Sequence, residues 1–446
     1  MSYGRPGWTA LFMANVKENN NGYTFEKLMD LAKSKLLGGG DITQWPPQQV
    51  NGELLETFKI ALLSRRALVR IGMMSQLARA MVASCMSICL RVSDNLESML
   101  VDSLSEPILS EAAARHINQF GIWPDLLEAL LDAMQYGAVE TGRLGELAAW
   151  ILLAIGWDAA CIAKDPSKAR TYTRSDVTLE DFLRALLGSV PEVVLERPTK
   201  TMSTRQGADV HSSDHGKAFV TELLQRRLCF THVIQLQESG LSMANLNRTA
   251  GRSSMGANPP GTAATDGYVA LHPPEGDISE EEPKLWVAQF QIKNKKEVGP
   301  AEEKRVLKNM DDVAQRVRPS AGRKSPTVSI PGIDFLLRFG GDPSQGSRCE
   351  FSKKANSNRA CLLLSTDSKL SLFSNAFSAV TKSQTDADRL SSAFQRLVDA
   401  EQSAFFKSKT WSACNEAESA RVSKEHSLKT QMESLTDVFI VEDRAK

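Results

Sequence analysis

The chain has 446 residues, enough to bury a sizeable core and to make two or three domains. Its 53 basic residues balance 53 acidic ones, which excludes a global field that recruits nucleic acid; any such binding must come from local patches. Seven sparse cysteines, odd in number and without zinc-finger spacing, argue against a disulfide framework and read as free thiols of an intracellular, reducing compartment.

From Glu53 to about Gly188 the pattern is helical. Leu54, Leu55, Phe58, Ile60, Ala61 and Leu62 open one apolar helix, and Met73 to Leu90 reads as a second. Ser105-Glu106-Pro107 starts another, and Pro124 falls in a first turn, where its missing N–H costs little. Leu144 to Ile162 and Leu179 to Leu187 complete the set. Leu147 to Ala163 is almost wholly apolar, but it falls short of the roughly 20 residues of a spanning helix and contains Asp158. A buried helix is expected, with no membrane partner. The N-terminus shows no charged-then-apolar signal pattern.

Residues 1–195 are therefore expected to form a helical region, winged-helix or bundle-like, and the polar stretch 196–216 a linker. Beyond it Ala218 to Arg227 predicts a helix, and Leu228 to Leu236 either continues it or forms a first strand. Asn247 to Ala264, rich in Gly, Ser, Asn and Pro, reads as a loose loop. A hairpin follows from Thr265 to Asn294, with Tyr268-Val269-Ala270-Leu271 as one strand and Leu285 to Lys293 as the other. Ala301 to Val317 predicts a charged amphipathic helix, and Thr327 to Phe339 and Ala360 to Thr366 predict strands. The segment 367–446 reads as charged C-terminal helices. The fold class is α+β: helical first, then an α/β domain over 217–366 with a small mixed sheet.

The hairpin carries the most specific chemistry. If its strands pair about position 278 or 279, Asp266 comes opposite Gln291, and Gln291 and Lys293 share a face while Phe290 and Ile292 take the other. Phosphodiester hydrolysis needs a carboxylate to hold Mg²⁺ or Mn²⁺ and an ammonium to orient water or stabilise charge. Asp266 suits the first role and Lys293 the second. Gln291 can add its side-chain carbonyl as a metal ligand, and Ile292 its backbone carbonyl, though a neutral amide lowers metal affinity relative to glutamate. The plain alternative is an ordinary hairpin with polar residues at its open edge.

Other candidates are weaker. Glu222 is a possible third acid, against the ordinary reading of a solvated helix glutamate. His211 and His215 have i, i+4 spacing but sit in the linker without a third ligand. His232, in an apolar segment, is either a satisfied core histidine or an additional site residue. Lys293, Lys295, Lys296, Lys304, Arg305 and Lys308 form the clearest basic concentration, able to meet a nucleic-acid backbone or to be balanced by Glu297, Glu302 and Glu303.

Asp266 followed by Gln291-x-Lys293 resembles the PD-(D/E)XK, restriction-endonuclease-like signature in its Gln-x-Lys variant. Gly4-Arg5-Pro6-Gly7-Trp8, Lys35-Leu36-Leu37-Gly38-Gly39, Ser105 to Ala113, Gly145-Glu146-Leu147-Ala148, Cys229-Phe230-Thr231-His232 and Gln291-Ile292-Lys293-Asn294 resemble a mushroom-fungal family joining a P-loop ATPase to a nuclease-like part, in the manner of Crinkler and retrotransposon-hot-spot proteins. The resemblance implies a restriction-endonuclease-like domain over 217–366 and a Mg²⁺-dependent nuclease acting on DNA or RNA. It also implies an upstream ATPase part or a protein partner. This chain departs from the family in lacking G-x-x-x-x-G-K-[ST], and in the loose stretch before Asp266. The competing expectations are an interaction protein whose nuclease-like site is degenerate, and a helical scaffold in which the hairpin is incidental.

Overall fold

A computed structural model describes residues 52–69, 88–92, 99–102, 107–135, 144–164, 177–196, 209–236, 240–259, 262, 264–274, 285–293, 300–317, 329–339, 347–354, 357–366 and 370–402. Ten helices are described: α1 (Gly52–Ser64), α2 (Pro107–Phe120), α3 (Trp123–Gln135), α4 (Leu144–Lys164), α5 (Leu179–Leu187), α6 (Asp209–Gln225), α7 (Met243–Arg252), α8 (Pro300–Ala314), α9 (Ser374–Val380) and α10 (Gln384–Gln402). The strands are β1 (Ile88–Val92), β2 (Met99–Asp102), β3 (Val193–Glu196), β4 (Arg227–Leu228), β5 (His232–Gln235), β6 (Ser254–Ala257), β7 (Gly267–His272), β8 (Trp286–Lys293), β9 (Gly332–Arg338), β10 (Arg348–Lys354) and β11 (Arg359–Ser365). The protein is mixed α+β, helical first and sheet-based after.

β1 and β2 form a two-stranded antiparallel sheet among the described residues. The other nine strands form one mixed sheet in the order β3-β10-β11-β9-β8-β7-β6-β5, with β4 beside β7. β7 and β8 are the predicted hairpin, antiparallel, with Gly267 opposite Phe290. β8 and β9 are parallel and joined through α8; β5 and β6 are parallel and joined through α7. Parallel neighbours need such crossovers, because a tight turn cannot reverse the chain twice.

Alternating side chains give β8 two buried faces. Phe290 stacks on Phe335 of β9, with centroids 4.9 Å apart, and meets the edge of Trp150 from α4 at 6.4 Å. On the opposite face Val287 and Tyr268 pack with Leu246 of α7 and Val317 just past α8, while Leu336 packs with Val306 and Met310 of α8. Helices thus cover both faces, which is why β8 is buried from Trp286 to Ile292.

α4 is buried from Leu144 to Cys161 except at Glu146. It is the one described helix long and apolar enough to cross a membrane, and 83% of its most apolar window lies inside the protein. Asp158, fully buried on it, accepts hydrogen bonds from Arg66, from Asn118 Nδ2 at 2.8 Å and from Trp123 Nε1 at 3.3 Å. Arg66 also donates to the carbonyl of Thr231, so one polar node ties the helical part to the strand region.

Several expectations are corrected by these elements. The tail of the predicted helix Met73 to Leu90 is strand β1 from Ile88; residues 70–87 lie outside the described set. The predicted loop Asn247 to Ala264 contains the end of α7, closed by Ser253 in a left-handed C-cap whose backbone N–H donates to the Ala250 carbonyl, and all of β6. Small polar residues suit caps as well as loops, which is why composition misled there. The predicted linker already contains the start of α6. The sheet is large rather than small: β3 pairs in parallel with β10, and neither strand was predicted. Leu228 to Leu236 resolves as two short strands, β4 and β5.

Candidate functional site

The parallel strands β8 and β9 end together, with Lys293 beside Arg338. β7 runs antiparallel to β8, so its first residues lie at that same edge. Extending the register from Gly267 and Phe290 by one pair sets Asp266 opposite Gln291, as the sequence predicts. The contact is direct: Gln291 Nε2 donates to Asp266 Oδ2 at 2.6 Å, and the Ile292 backbone N–H donates to the same oxygen at 2.6 Å. Asp266 N donates in turn to the Phe290 carbonyl, and Asn258 N to the Asp266 carbonyl, both at 2.8 Å. Asp266 therefore stands where the β6, β7 and β8 backbones converge. Lys293 shares the parity of Gln291 and Val287, which puts it on the face covered by α7 and α8.

The site has one neighbour the sequence did not single out. Glu303, in the first turn of α8 and 5% exposed, accepts from Arg338 Nη1 at 3.1 Å and from Arg348 Nη1 at 3.3 Å. Read along the chain it looks like part of a solvated charge balance. Its spacing to Val306 and Met310, which face the sheet, was the available signal.

A second polar layer lies two residues down β8. Gln289 Nε2 donates to Asp334 Oδ1 at 3.1 Å and to the Met310 carbonyl at 3.2 Å, and Arg359 Nε donates to Asp334 Oδ1 at 2.9 Å. Burial raises the Asp334 carboxyl above its ordinary range, while Arg359 pulls it back. An aspartate inside the apolar run Ile333 to Leu337 was the cue for this layer.

The remaining candidates do not join Asp266. Glu222 is half-exposed on α6 and pairs with Arg226 at 2.5 Å. It lines a pocket of about 520 Å³ with Phe219, Trp286 and Lys353. Trp286 begins β8 and Lys293 ends it, so that pocket is about 23 Å of strand away from the site. His232 begins β5, two strands from β7, fully buried beside Thr231 Oγ1 at 2.9 Å. Burial, reinforced by Arg66, Arg252 and Arg65, pushes its imidazole down to about 3, so it is a neutral core histidine. His211 and His215 both fall on α6. Lys304, Arg305 and Lys308 are exposed on α8, Arg305 lying 3.7 Å from Glu302; Lys295 and Lys296 lie outside the described residues.

Among the described residues no group of three or more His, Cys, Asp or Glu gathers as a metal site. Asp266 supplies one negative charge. An ionised carboxylate only accepts, so the amide nitrogen of Gln291 faces it, and the amide must turn over for Gln291 Oε1 to join Asp266 as a ligand. With the Ile292 carbonyl, that donor set suits a hard divalent ion held weakly and completed by water and phosphate oxygens. Burial pushes the Cys349 thiol up to about 11.

Residues 54–193 match the family model of a domain of unknown function, DUF8736. The match covers the helical part, from α1 to the start of β3, and ends before the hairpin. No curated protein and no solved structure matches the chain.

Proposed function

We propose that this chain is a nuclease-like protein that binds DNA or RNA at the edge formed by the ends of β8 and β9 and hydrolyses phosphodiesters there. The observation that carries the reading is the register that seats Asp266 against Gln291 with Lys293 on the same face. Three further features support it. The order of helix, strand, hairpin, crossover helix and parallel strand is close to the one a restriction-endonuclease-like core requires, with α7 and β6 added before the hairpin. Ligands of open α/β sheets bind at the carboxyl ends of parallel strands, which is where this group lies. Exposed Lys304 and Lys308 stand on the helix that follows β8.

Asp266 and Gln291 would hold Mg²⁺ or Mn²⁺, which would polarise the phosphate oxygens. Lys293 orients the attacking water or stabilises charge on the phosphoryl group, and Arg338 holds Glu303 away from that phosphate. The setting is intracellular, and an ATPase part or separate protein partner remains part of this reading. Cleavage of labelled DNA and RNA in Mg²⁺ or Mn²⁺ tests it. Lys293→Ala should lower the rate by about a hundredfold or more with an unchanged circular dichroism spectrum; full activity in that variant removes the assignment.

A second reading has its own observation. Oδ2 of Asp266 already accepts two N–H groups, as a clasp closing the open end of a hairpin would. In that case the fold is an interaction module with a degenerate site. Calorimetry showing no Mg²⁺ or Mn²⁺ binding, together with no cleavage by the wild type, selects it.

A further inference from the structure

Glu222, which does not join Asp266, lies on the rim of a pocket at the other end of β8. α6 gives that pocket Phe219 as well as Glu222, β8 opens into it with Trp286, and Lys353 of β10 and Ser357 before β11 complete its polar lining. Its volume, about 520 Å³, is that of a site for a small organic molecule. α6 spans Asp209–Gln225 and meets the pocket with its later turns, so it offers the pocket no helix N-terminus.

Phe219 and Trp286 stack there with centroids 5.0 Å apart and planes 16° from parallel. The Arg226 guanidinium carbon stands over the Trp286 ring, 4.2 Å from its centre, and the Lys353 ammonium over Phe219 at 4.8 Å. Ring faces carry the negative part of the aromatic quadrupole and attract cations, whereas ring edges carry the positive part. The faces are engaged by each other and by these two cations, so the edges are what a ligand meets. Lys353 is 3% exposed and donates to the Ser357 carbonyl. Burial lowers its pKa, with Cys361 and Asp311 acting in the opposite direction, and an anion alongside would favour its charged form further. Ser357 Oγ accepts from Arg359 N at 3.1 Å, which leaves its own O–H to donate. Glu222, the acid on the rim, is paired with Arg226.

We propose that this pocket binds a small organic carboxylate with a flat apolar body. The carboxylate oxygens accept from the Lys353 ammonium and the Ser357 hydroxyl, and the body lies against Pro331 and the edges of Phe219 and Trp286. A cationic ligand would compete with Arg226 and Lys353 for the ring faces. A phosphate ester would find a single ammonium in the lining, where such dianions are held best by an arginine fork or a helix N-terminus. The site is independent of the proposed phosphodiester chemistry, since Trp286 and Lys293 lie at opposite ends of β8.

The test is calorimetry on the full chain in EDTA with three probes: benzoate, benzamide as its uncharged counterpart, and phenyl phosphate. Benzoate should bind at least about tenfold more tightly than benzamide, as a hydrogen bond to a charged group gives, and phenyl phosphate no more tightly than benzoate. Lys353→Met keeps an apolar stem in place of the ammonium and should weaken benzoate by about the same factor while leaving benzamide unchanged. Ala218→Trp, at an exposed position of α6 that lines the pocket, should fill it and abolish benzoate binding. That variant keeps the test decisive if Lys353→Met does not fold. Equal affinity for benzoate and benzamide, or benzoate binding untouched by Ala218→Trp, overturns the proposal. Tighter binding of phenyl phosphate assigns the pocket to phosphate esters and overturns it too, as does a wild type that binds no benzoate.

Discussion

At Asp266 the same carboxylate serves as clasp and as candidate ligand, and substitution separates the two roles. Asp266→Ala removes the acceptor of two N–H groups and should cost about 2 kcal/mol of stability, read by urea denaturation. Asp266→Asn keeps an acceptor oxygen and should recover much of that, while still losing metal binding by calorimetry. Full metal binding in Asp266→Asn would show that the negative charge is not needed. Deeper in the molecule, Asp158 and His232 make opposite contributions to pH dependence. Burial raises Asp158 from 3.8 to about 6, against Arg66, so the folded state holds its proton longer; stability on this account falls as pH rises from about 4 to 6. Burial lowers His232 from 6.5 to about 3, so the unfolded chain takes the proton first; stability on that account rises with pH between about 3 and 6.5. Each slope is at most about 1.4 kcal/mol per pH unit, and they oppose. The wild type should therefore show a shallow profile between pH 4 and 6, and Asp158→Asn a steeper rise over the same range. A profile of equal slope in both would contradict the assignment.

Among the elements, β9 is the one whose seating is most constrained. Its first residue, Gly332, has φ +156°, and a Cβ there would stand 1.8 Å from the Val287 carbonyl oxygen. Gly332→Ala should break the start of the β8–β9 ladder and cost about 2 to 4 kcal/mol, with a lowered urea midpoint as the readout. α8 is held at its other end by Glu303. Glu303→Ala leaves Arg338, 11% exposed, without that partner and should cost about 3 kcal/mol. Because α8 follows β8 directly, the same variant should also lower any cleavage rate. These elements were unevenly legible. The hairpin, α4, α5 and β11 follow from period, caps and length: α5 runs from an N-cap at Thr178 to a left-handed Gly188, both visible as Thr and Gly. β3 and β10 were not visible. β10 reads Arg-Cys-Glu-Phe-Ser-Lys-Lys, polar enough to pass for loop, and it is a strand because β11 and β3 pair with it on either side.

At the scale of the molecule, helical and sheet parts share one core. Residues up to Asp399 form one compact unit, Trp150 of α4 packs on Phe290, and Arg66 and Asp158 reach the start of β5. β3, whose first residue is the last of the DUF8736 match, is an outer strand of the nine-stranded sheet. A chain cut to residues 217–366 loses α4 and β3 and exposes the face carrying Phe290 and Phe335. It should aggregate or bind ANS strongly, whereas residues 52–402 should give a sharp near-ultraviolet spectrum. A monomeric, well-packed 217–366 piece would show that the nuclease-like part stands alone.

What the sequence determined by itself is what depends on near neighbours along the chain: helical runs, the hairpin, its register, and so the meeting of Asp266 with Gln291. A period of two and a turn-rich loop fix which residues face each other before any tertiary contact forms. The tertiary structure alone decided which distant polar groups join them. Glu222 and Glu303 look alike in sequence, both helical glutamates near cations. The crossover after β8 brings Glu303 to the strand ends, and α6 carries Glu222 to the opposite edge. The burial of Asp158, His232 and Asp334 was likewise settled by packing, because a polar residue becomes a core residue only when a partner from another element satisfies it.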